Sequence, residues 1–123
     1  MIRDMKKALL LIDHGSRFDA ANSMLEDVAA MLRLLRPQLH ISFAHMELAR
    51  PTIQDGVDAC IEAGARHIIA HPYMLAPGRH ATKDIPEMVK DAVAKYQGIE
   101  LTVTEPLGVD TLIGEVILKR ANL

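Results

Sequence analysis

The chain has 123 residues, half of them hydrophobic and about a quarter charged, which is the balance of a globular protein with a single core. The net charge of -2 does not favour nucleic acid or an anionic membrane as a partner, and a lone Cys60 excludes a disulfide framework. We therefore expect one domain over 1–123 in the cytoplasm, with no nucleic-acid partner and, lacking an apolar run of roughly 20 residues, no membrane association.

The first third of the chain alternates strand and helix patterns. The continuous apolar run at 8–12 is typical of a strand covered on both faces. Apolar residues then recur at helical spacing from Met24 to Leu35, and Pro37 ends that helix. A second strand is predicted around Ile41.

A second helix and a third strand follow. Pro51 suits the first position of a helix, and Gly64 is a typical C-terminal stop for it. The apolar residues 68–70 are the centre of a third strand, which we expect to end near Pro72.

The remaining chain predicts a third helix, a fourth strand and a fourth helix. The third helix begins near Asp84, where an acidic residue and a proline stand at positions typical of a helix start. Residues 99–104 form the fourth strand, and Asp110 is a candidate cap for the last helix. The order βαβαβαβα indicates an α/β fold, an open parallel sheet of about four strands with helices on both faces.

Two histidine-bearing loops follow the first and third predicted strands, with His14 in one and His80 in the other. If the strand order is 2-1-3-4, these strands are neighbours and their loops meet at the carboxyl edge of the sheet. Two neutral imidazoles there can hold a divalent metal or transfer protons. Gly15 and Gly78 are expected to let the backbone turn tightly and approach a ligand.

The other histidines have weaker claims to function. His40 and His67 open strands, so they belong on the opposite edge of the sheet. His45 and His71 lie late in strands, where they either border the crevice or are buried and hydrogen-bonded.

Charged side chains also follow the strands. Arginine forks match carboxylates or phosphates, so a polyanionic ligand is one interpretation of this basic edge and solvated surface charge is the other. The basic residues are Arg17, Arg50, Arg79 and Lys83. Glu47 follows the second strand, where it either completes a metal site, accepts protons, or is an ordinary surface carboxylate.

Other chemistries find less support. No Gly-x-Ser-x-Gly elbow surrounds Ser16, and the sequence contains neither a phosphate-binding loop nor a dinucleotide-binding turn. Phosphoryl transfer with one histidine as nucleophile stays open as an alternative.

Four segments in register resemble the CbiX-type sirohydrochlorin chelatases, which are class II chelatases. They are His14-Gly15-Ser16-Arg17 with Ala21-Asn22, Glu47 to Pro51, Pro72 to His80 with Asp84-Ile85-Pro86, and Pro106-Leu107-Gly108. The resemblance runs in order from about residue 7 to 120 and so covers nearly the whole chain.

The resemblance implies ATP-independent insertion of Co²⁺, or in relatives Fe²⁺ or Ni²⁺, into sirohydrochlorin, with the metal as a substrate and no organic cofactor. It makes His14 and His80 the metal ligands and proton acceptors, assisted by Glu47. The residues expected to contact the tetrapyrrole are Ser16, Arg17, Arg50, Gly78, Arg79 and Lys83. The chain resembles the short form of the family, in which two copies pair as a homodimer. A contrasting hypothesis is a protein of this fold that binds metal or tetrapyrrole without turnover.

Four residues depart from what is usual in the family: Asp13, His45, His71 and Tyr73. Asp13 is expected to add negative charge beside His14, which either strengthens metal binding or raises the pKa of His14.

Overall fold

Four strands form one parallel sheet in the part of the chain that the computed structural model describes, residues 6–123. In chain order they are β1 (Lys7–Asp13), β2 (His40–His45), β3 (His67–Pro72) and β4 (Glu100–Val103). The order across the sheet is β2-β1-β3-β4, which confirms the predicted order. Since β1 pairs with both β2 and β3, the segments that follow these three strands leave the same edge of the sheet side by side.

Helices cover both faces of the sheet, as the predicted fold class requires. They are α1 (Asp19–Leu35), α2 (Ile53–Glu62), α3 (Ile85–Val93) and α4 (Thr111–Ala121), with a π-helical turn (His80–Asp84) directly before α3. Buried residues of α2 and α3 share one core cluster with Leu10 and Ile12, whereas α1 packs against Leu11 on the other face.

The central strand explains this two-sided packing. Leu10, Leu11 and Ile12 are all buried, and successive side chains of a strand point to opposite faces of the sheet. Each buried aliphatic side chain stabilises the fold by about 1.5–3 kcal/mol. A continuous apolar run at this position is therefore what a sheet covered on both faces needs.

The start of α2 differs from the prediction that Pro51 occupies the first helical position. The Thr52 hydroxyl accepts a hydrogen bond from the Asp55 backbone N–H (3.1 Å), and the Asp55 carboxylate accepts one from the Thr52 N–H (3.0 Å). This reciprocal capping box satisfies two free donors and makes Ile53 the first helical residue. The prediction for Pro51 was wrong because it ignored this cap.

The start of α3 is where the sequence placed it, but Asp84 is not its cap. The chain is already helical from His80, and Asp84 itself has helical backbone angles. The Asp84 carboxylate instead accepts a hydrogen bond from His80.

The last helix begins at the predicted cap, because the Asp110 carboxylate accepts a hydrogen bond from the Leu112 N–H at 2.8 Å. In the described chain none of the α4 residues is buried. Among residues 6–123 no helix combines the length and the apolarity needed to cross a bilayer.

Candidate functional site

His14 and His80 meet at the carboxyl edge of the sheet. Their ring centroids are 4.7 Å apart and the ring planes make an angle of 66°. His14 directly follows β1, and His80 opens the π-helical turn after β3. Both side chains are about half exposed, so a solute can reach them. The prediction that these two loops bring the histidines together is confirmed.

Each of these imidazoles is oriented through its Nδ1 atom. His80 Nδ1 donates a hydrogen bond to Asp84 Oδ2 at 2.9 Å, and His14 Nδ1 lies 3.2 Å from the carbonyl oxygen of Gly15. Carboxylate and carbonyl oxygens only accept, so a proton on Nδ1 satisfies each of these contacts and leaves an Nε2 lone pair on His80, whereas His14 Nε2 faces a carboxylate as well. Imidazoles that bind metals are commonly oriented in this way.

Glu47 joins the pair from the loop after β2. Its Oε1 atom lies 3.3 Å from His14 Nε2. A carboxylate oxygen facing an imidazole lone pair is favourable when a proton or a metal cation lies between them. Glu47 and His80 also line one cavity of about 290 Å³, together with Met46, Asp84, Glu87 and Met88.

The close approach of the His14 and Glu47 loops depends on Gly15. Gly15 has φ +92°, and a Cβ atom added there would stand 1.8 Å from the Glu47 carbonyl oxygen. The backbone shows no such need for a glycine at Gly78, whose predicted approach to a ligand stays a prediction. Gly78 has no left-handed backbone angle, and an added Cβ would meet nothing within 4 Å among the described residues.

The loop after β1 is held by its own polar groups. The Asn22 side chain accepts a hydrogen bond from the Ser16 N–H (3.0 Å) and donates one to the Ser16 carbonyl oxygen (2.7 Å). The Ser16 hydroxyl accepts a hydrogen bond from the Phe18 N–H at 3.0 Å. These bonds fix the backbone between His14 and α1.

The four predicted basic residues fall into two groups. Arg17 and Arg50 line a cavity of about 630 Å³ beside the first turns of α1, where Ser16, Asp19 and Glu26 also contribute. Arg50 forms a bidentate ion pair with Asp55, with N–O distances of 3.1–3.2 Å. The positive charge of this cavity is therefore partly compensated.

Arg79 and Lys83 form the second group, beside His80. Both are exposed residues at the π-helical turn, and neither lines the cavity that holds Arg17. The basic residues that the sequence placed on one edge thus form two groups, one at the cavity with Arg17 and one at the turn that begins with His80.

Three further histidines pair with hydroxyl groups. His40 and His67 lie at the opposite edge, as predicted, and pair with the hydroxyls of Ser42 and Thr102. His71 pairs with the Thr104 hydroxyl at 2.8 Å, and burial lowers the pKa of His71.

The Asp13 side chain turns to His45 rather than to His14, and its effect on metal binding at His14 stays a prediction. Its Oδ1 atom accepts a hydrogen bond from Nδ1 of the buried His45 at 2.6 Å. Sequence reasoning also missed Asp84, although the spacing of four residues between His80 and Asp84 was an available signal for a helical pair.

The site holds few metal-ligating groups. Within residues 6–123 no group of three or more His, Cys, Asp or Glu side chains is arranged to hold a metal ion together. Cys60 lies buried in α2, and burial raises the pKa of its thiol to about 11, so it supplies no thiolate at neutral pH. What the site offers is two imidazoles with one carboxylate beside them.

A doubly covered parallel sheet with two paired imidazoles at its carboxyl edge places the chain in the class of α/β proteins with an open parallel sheet, in which ligands typically bind at a switch point between strands. The chain belongs to the CbiX family, whose model matches residues 8–122.

Relatives and solved structures support this membership. A chloroplastic sirohydrochlorin ferrochelatase of Arabidopsis thaliana is 38% identical and is matched over 91% of this chain and 50% of its own length. A sirohydrochlorin cobaltochelatase of Saccharolobus solfataricus is 31% identical, over 93% of this chain and 92% of its own. The crystal structure of the sirohydrochlorin chelatase SirB from Bacillus subtilis subspecies spizizenii in complex with cobalt superposes with a TM-score of 0.88 at 30% identity, covering 96% of this chain and 50% of SirB. The chain thus spans about half the length of several curated relatives and nearly all of the Saccharolobus protein.

Proposed function

We propose that this protein is a sirohydrochlorin chelatase that inserts Co²⁺, or Fe²⁺ or Ni²⁺, into its tetrapyrrole substrate. The observation that carries the proposal is the convergence of His14, His80 and Glu47 from three different strand ends. The relatives include sirohydrochlorin ferrochelatases and cobaltochelatases, and these names support sirohydrochlorin as the substrate and Fe²⁺ and Co²⁺ as the metals.

The small number of ligands suits a site that must release its metal. An incoming aquo-cation exchanges water for the Nε2 atoms of His14 and His80, since borderline divalent metals favour imidazole. Coordination positions that the protein leaves open are available to water and then to the pyrrole nitrogens. A site with a complete set of protein ligands would hold the ion too tightly to transfer it.

Metal insertion also requires proton acceptors. The macrocycle loses two pyrrole N–H protons as the divalent cation enters, so the exchange conserves charge. Glu47 Oε1 lies 3.3 Å from His14 Nε2, and no other carboxylate of the described residues pairs with that ring. We assign the two protons to Glu47 and to the imidazole that the metal has just left.

The carboxylates of sirohydrochlorin need cationic partners. Arg17 presents an exposed guanidinium in the larger cavity, and Arg79 and Lys83 are exposed beside His80. Arginine binds carboxylates in a bidentate manner, so these residues are suited to hold the rim of the macrocycle over the histidine pair. We also expect a reducing compartment such as the cytoplasm, because the single Cys60 is a buried thiol.

Anaerobic absorbance with sirohydrochlorin and Co²⁺ tests the proposal. The wild-type protein should accelerate the spectral change of metal insertion, and His14→Ala or His80→Ala should reduce the rate about 100-fold or more. His67→Ala, at the opposite edge of the sheet, is the matched control and should keep the rate. Tight tetrapyrrole binding without acceleration would replace the enzyme by a binding protein, and phosphatase turnover without tetrapyrrole binding would favour the phosphoryl-transfer alternative.

We further infer that two copies of the chain pair, with α4 at the interface. Leu112, Val116 and Ile117 lie on one side of α4 and are 67%, 50% and 62% exposed. A helix with such an apolar side is typical of an interaction surface. Several relatives are about twice as long as this chain, which supports a second copy of this chain as the partner that covers α4.

Sedimentation velocity tests this pairing. The wild-type protein should sediment as a dimer at micromolar concentration, and Val116→Asp should sediment as a monomer because a charge is placed at the apolar contact. Glu115→Ala, in the same helix but off the apolar side, should remain dimeric. A monomeric wild-type protein would contradict the inference.

A further inference from the structure

A hydrogen-bonded pair of a histidine and a carboxylate lies next to the proposed metal site. His45 is the last residue of β2 and its side chain is 1% exposed, while Asp13 is the last residue of β1 and its side chain is 20% exposed. The two residues face each other across the parallel pairing of these strands. His45 Nδ1 donates to Asp13 Oδ1 at 2.6 Å, which is short for a nitrogen–oxygen hydrogen bond.

The pair stands next to two residues of the proposed site. Asp13 directly precedes His14, and His45 is two residues before Glu47. Two backbone hydrogen bonds continue the contact outward, from the Met46 N–H to the Asp13 carbonyl oxygen (2.9 Å) and from the Glu47 N–H to the His14 carbonyl oxygen (3.1 Å). The His14–Glu47 contact is the exposed end of the same set of bonds.

His45 is held in place at its backbone and at its ring. Its backbone N–H donates to the Pro51 carbonyl oxygen at 2.8 Å, and the Phe43 ring packs edge-on at a centroid distance of 6.0 Å. Because the ring is fixed, its Nδ1–H group is a buried donor at a fixed position, and the Asp13 carboxylate is oriented by accepting from it. The direction of that carboxylate in turn constrains the backbone that enters His14.

We propose that Asp13 and His45 are positioning residues that set the separation of His14 Nε2 and Glu47 Oε1. The proposal rests on the function proposed above. The pair acts on metal binding and transfer by holding the ends of β1 and β2 in register, so that the His14 imidazole is oriented toward the metal ion with the Glu47 carboxylate beside it.

Two replacements of His45 separate this role from simple packing. His45→Phe keeps a ring of similar size and removes the donor, whereas His45→Asn keeps an N–H group near the position of Nδ1. We expect His45→Phe to weaken Co²⁺ binding by the free protein, followed by visible absorbance, about 10- to 100-fold. The kcat of insertion should fall in parallel, while KM for sirohydrochlorin stays within about twofold of the wild-type value. His45→Asn should recover most of both losses.

The matched control is His71→Asn. His71 also lies near the end of a strand and pairs with Thr104 rather than with a residue beside His14 or Glu47. It should leave the affinity for Co²⁺ unchanged. If His45→Phe does not fold, Asp13→Asn and Asp13→Leu test the same role. Asparagine keeps an oxygen acceptor and leucine does not, so Asp13→Leu should lose more Co²⁺ affinity than Asp13→Asn.

The outcomes are distinct. Equal loss of Co²⁺ affinity in His45→Phe and His45→Asn would overturn the positioning role, as would a lower melting temperature with unchanged affinity and kcat. A wild-type protein that binds Co²⁺ but transfers none would overturn the chelatase function alone, because the Co²⁺ titration still decides the role of the pair.

Discussion

The carbonyl oxygen of Glu47 lies so close to Gly15 that a Cβ atom added at Gly15 would stand 1.8 Å from it. This contact joins the loop after β1 to the loop after β2. It is possible because Gly15 has no side chain and adopts φ +92°. The same two loops carry His14 and Glu47, so the contact is a condition for their 3.3 Å separation.

Gly15→Ala should therefore damage both the fold and the site. An unfavourable φ combined with a backbone clash should lower the free energy of unfolding by about 2–4 kcal/mol, measured by urea denaturation. Co²⁺ binding should weaken as well. Gly78→Ala is the control and should change stability by about 1 kcal/mol or less, since that position has open space around it. Equal effects at the two glycines would contradict the role of Gly15.

The Asp84 carboxylate should matter through His80. Asp84→Ala removes the acceptor that holds the Nδ1 proton, which should weaken Co²⁺ binding about 10- to 100-fold in a direct titration. Asp84→Asn keeps an oxygen acceptor and should lose less. Asp91→Ala removes a carboxylate elsewhere in α3 and serves as the control. The orienting role would be refuted if Asp84→Ala and Asp91→Ala bound Co²⁺ equally well.

Arg17 and Arg50 should contribute unequally to substrate binding. Arg50 is already paired with Asp55, whereas Arg17 forms no ion pair within the described residues. Arg17→Ala should raise KM for sirohydrochlorin about tenfold, and Arg50→Ala should raise it less. Initial rates at low ionic strength measure both, and the difference should shrink as salt is added. A larger effect for Arg50→Ala would show that its pairing with Asp55 is broken when substrate binds.

Stability should fall in mild acid, partly because of His71. Burial lowers the pKa of His71, an effect partly opposed by a backbone hydrogen bond at Glu105. The unfolded chain, with a pKa near ~6.5, then binds more protons than the folded protein. The stabilisation is complete above the unfolded pKa and is lost as the pH falls through the lower folded pKa.

Replacing His71 should flatten this pH dependence. His71→Asn cannot titrate, so the free energy of unfolding should change less between pH 7 and pH 5 than in the wild type. Urea denaturation at the two pH values measures the difference. His40, whose pKa is lowered first by burial and then by Arg33 and Lys6, should account for part of the remaining slope. An unchanged slope in His71→Asn would contradict the assignment.

Much of the site was predictable from local patterns combined with the rule that the loops after neighbouring parallel strands meet at the carboxyl edge of a sheet. The apolar run at the centre of β1 required a strand covered on both faces, and that strand's place beside β3 brought His14 to His80. Asp110 and Gly64 were recognisable as the boundaries of helices because their roles depend on nearby backbone groups.

The partners of polar side chains were harder to predict. Aspartate is a residue type typical of helix caps, yet the Asp84 carboxylate accepts a hydrogen bond from His80. The chain is already helical from His80 onward, so the start of α3 needs no cap at Asp84. The apolar periodicity of α4 indicated a helix, but periodicity alone did not show that its apolar side would be exposed on the single chain.

The sequence by itself determined the alternation of strands and helices, the sheet class and the two histidine loops, since these follow from periodicity, turn residues and the handedness of crossovers. The tertiary structure alone decided which partners the polar side chains around the histidine pair take. Asp13 is covalently next to His14 but hydrogen-bonded to His45, because neighbouring residues at a strand end point to opposite sides and the β1–β2 register sets Asp13 opposite His45.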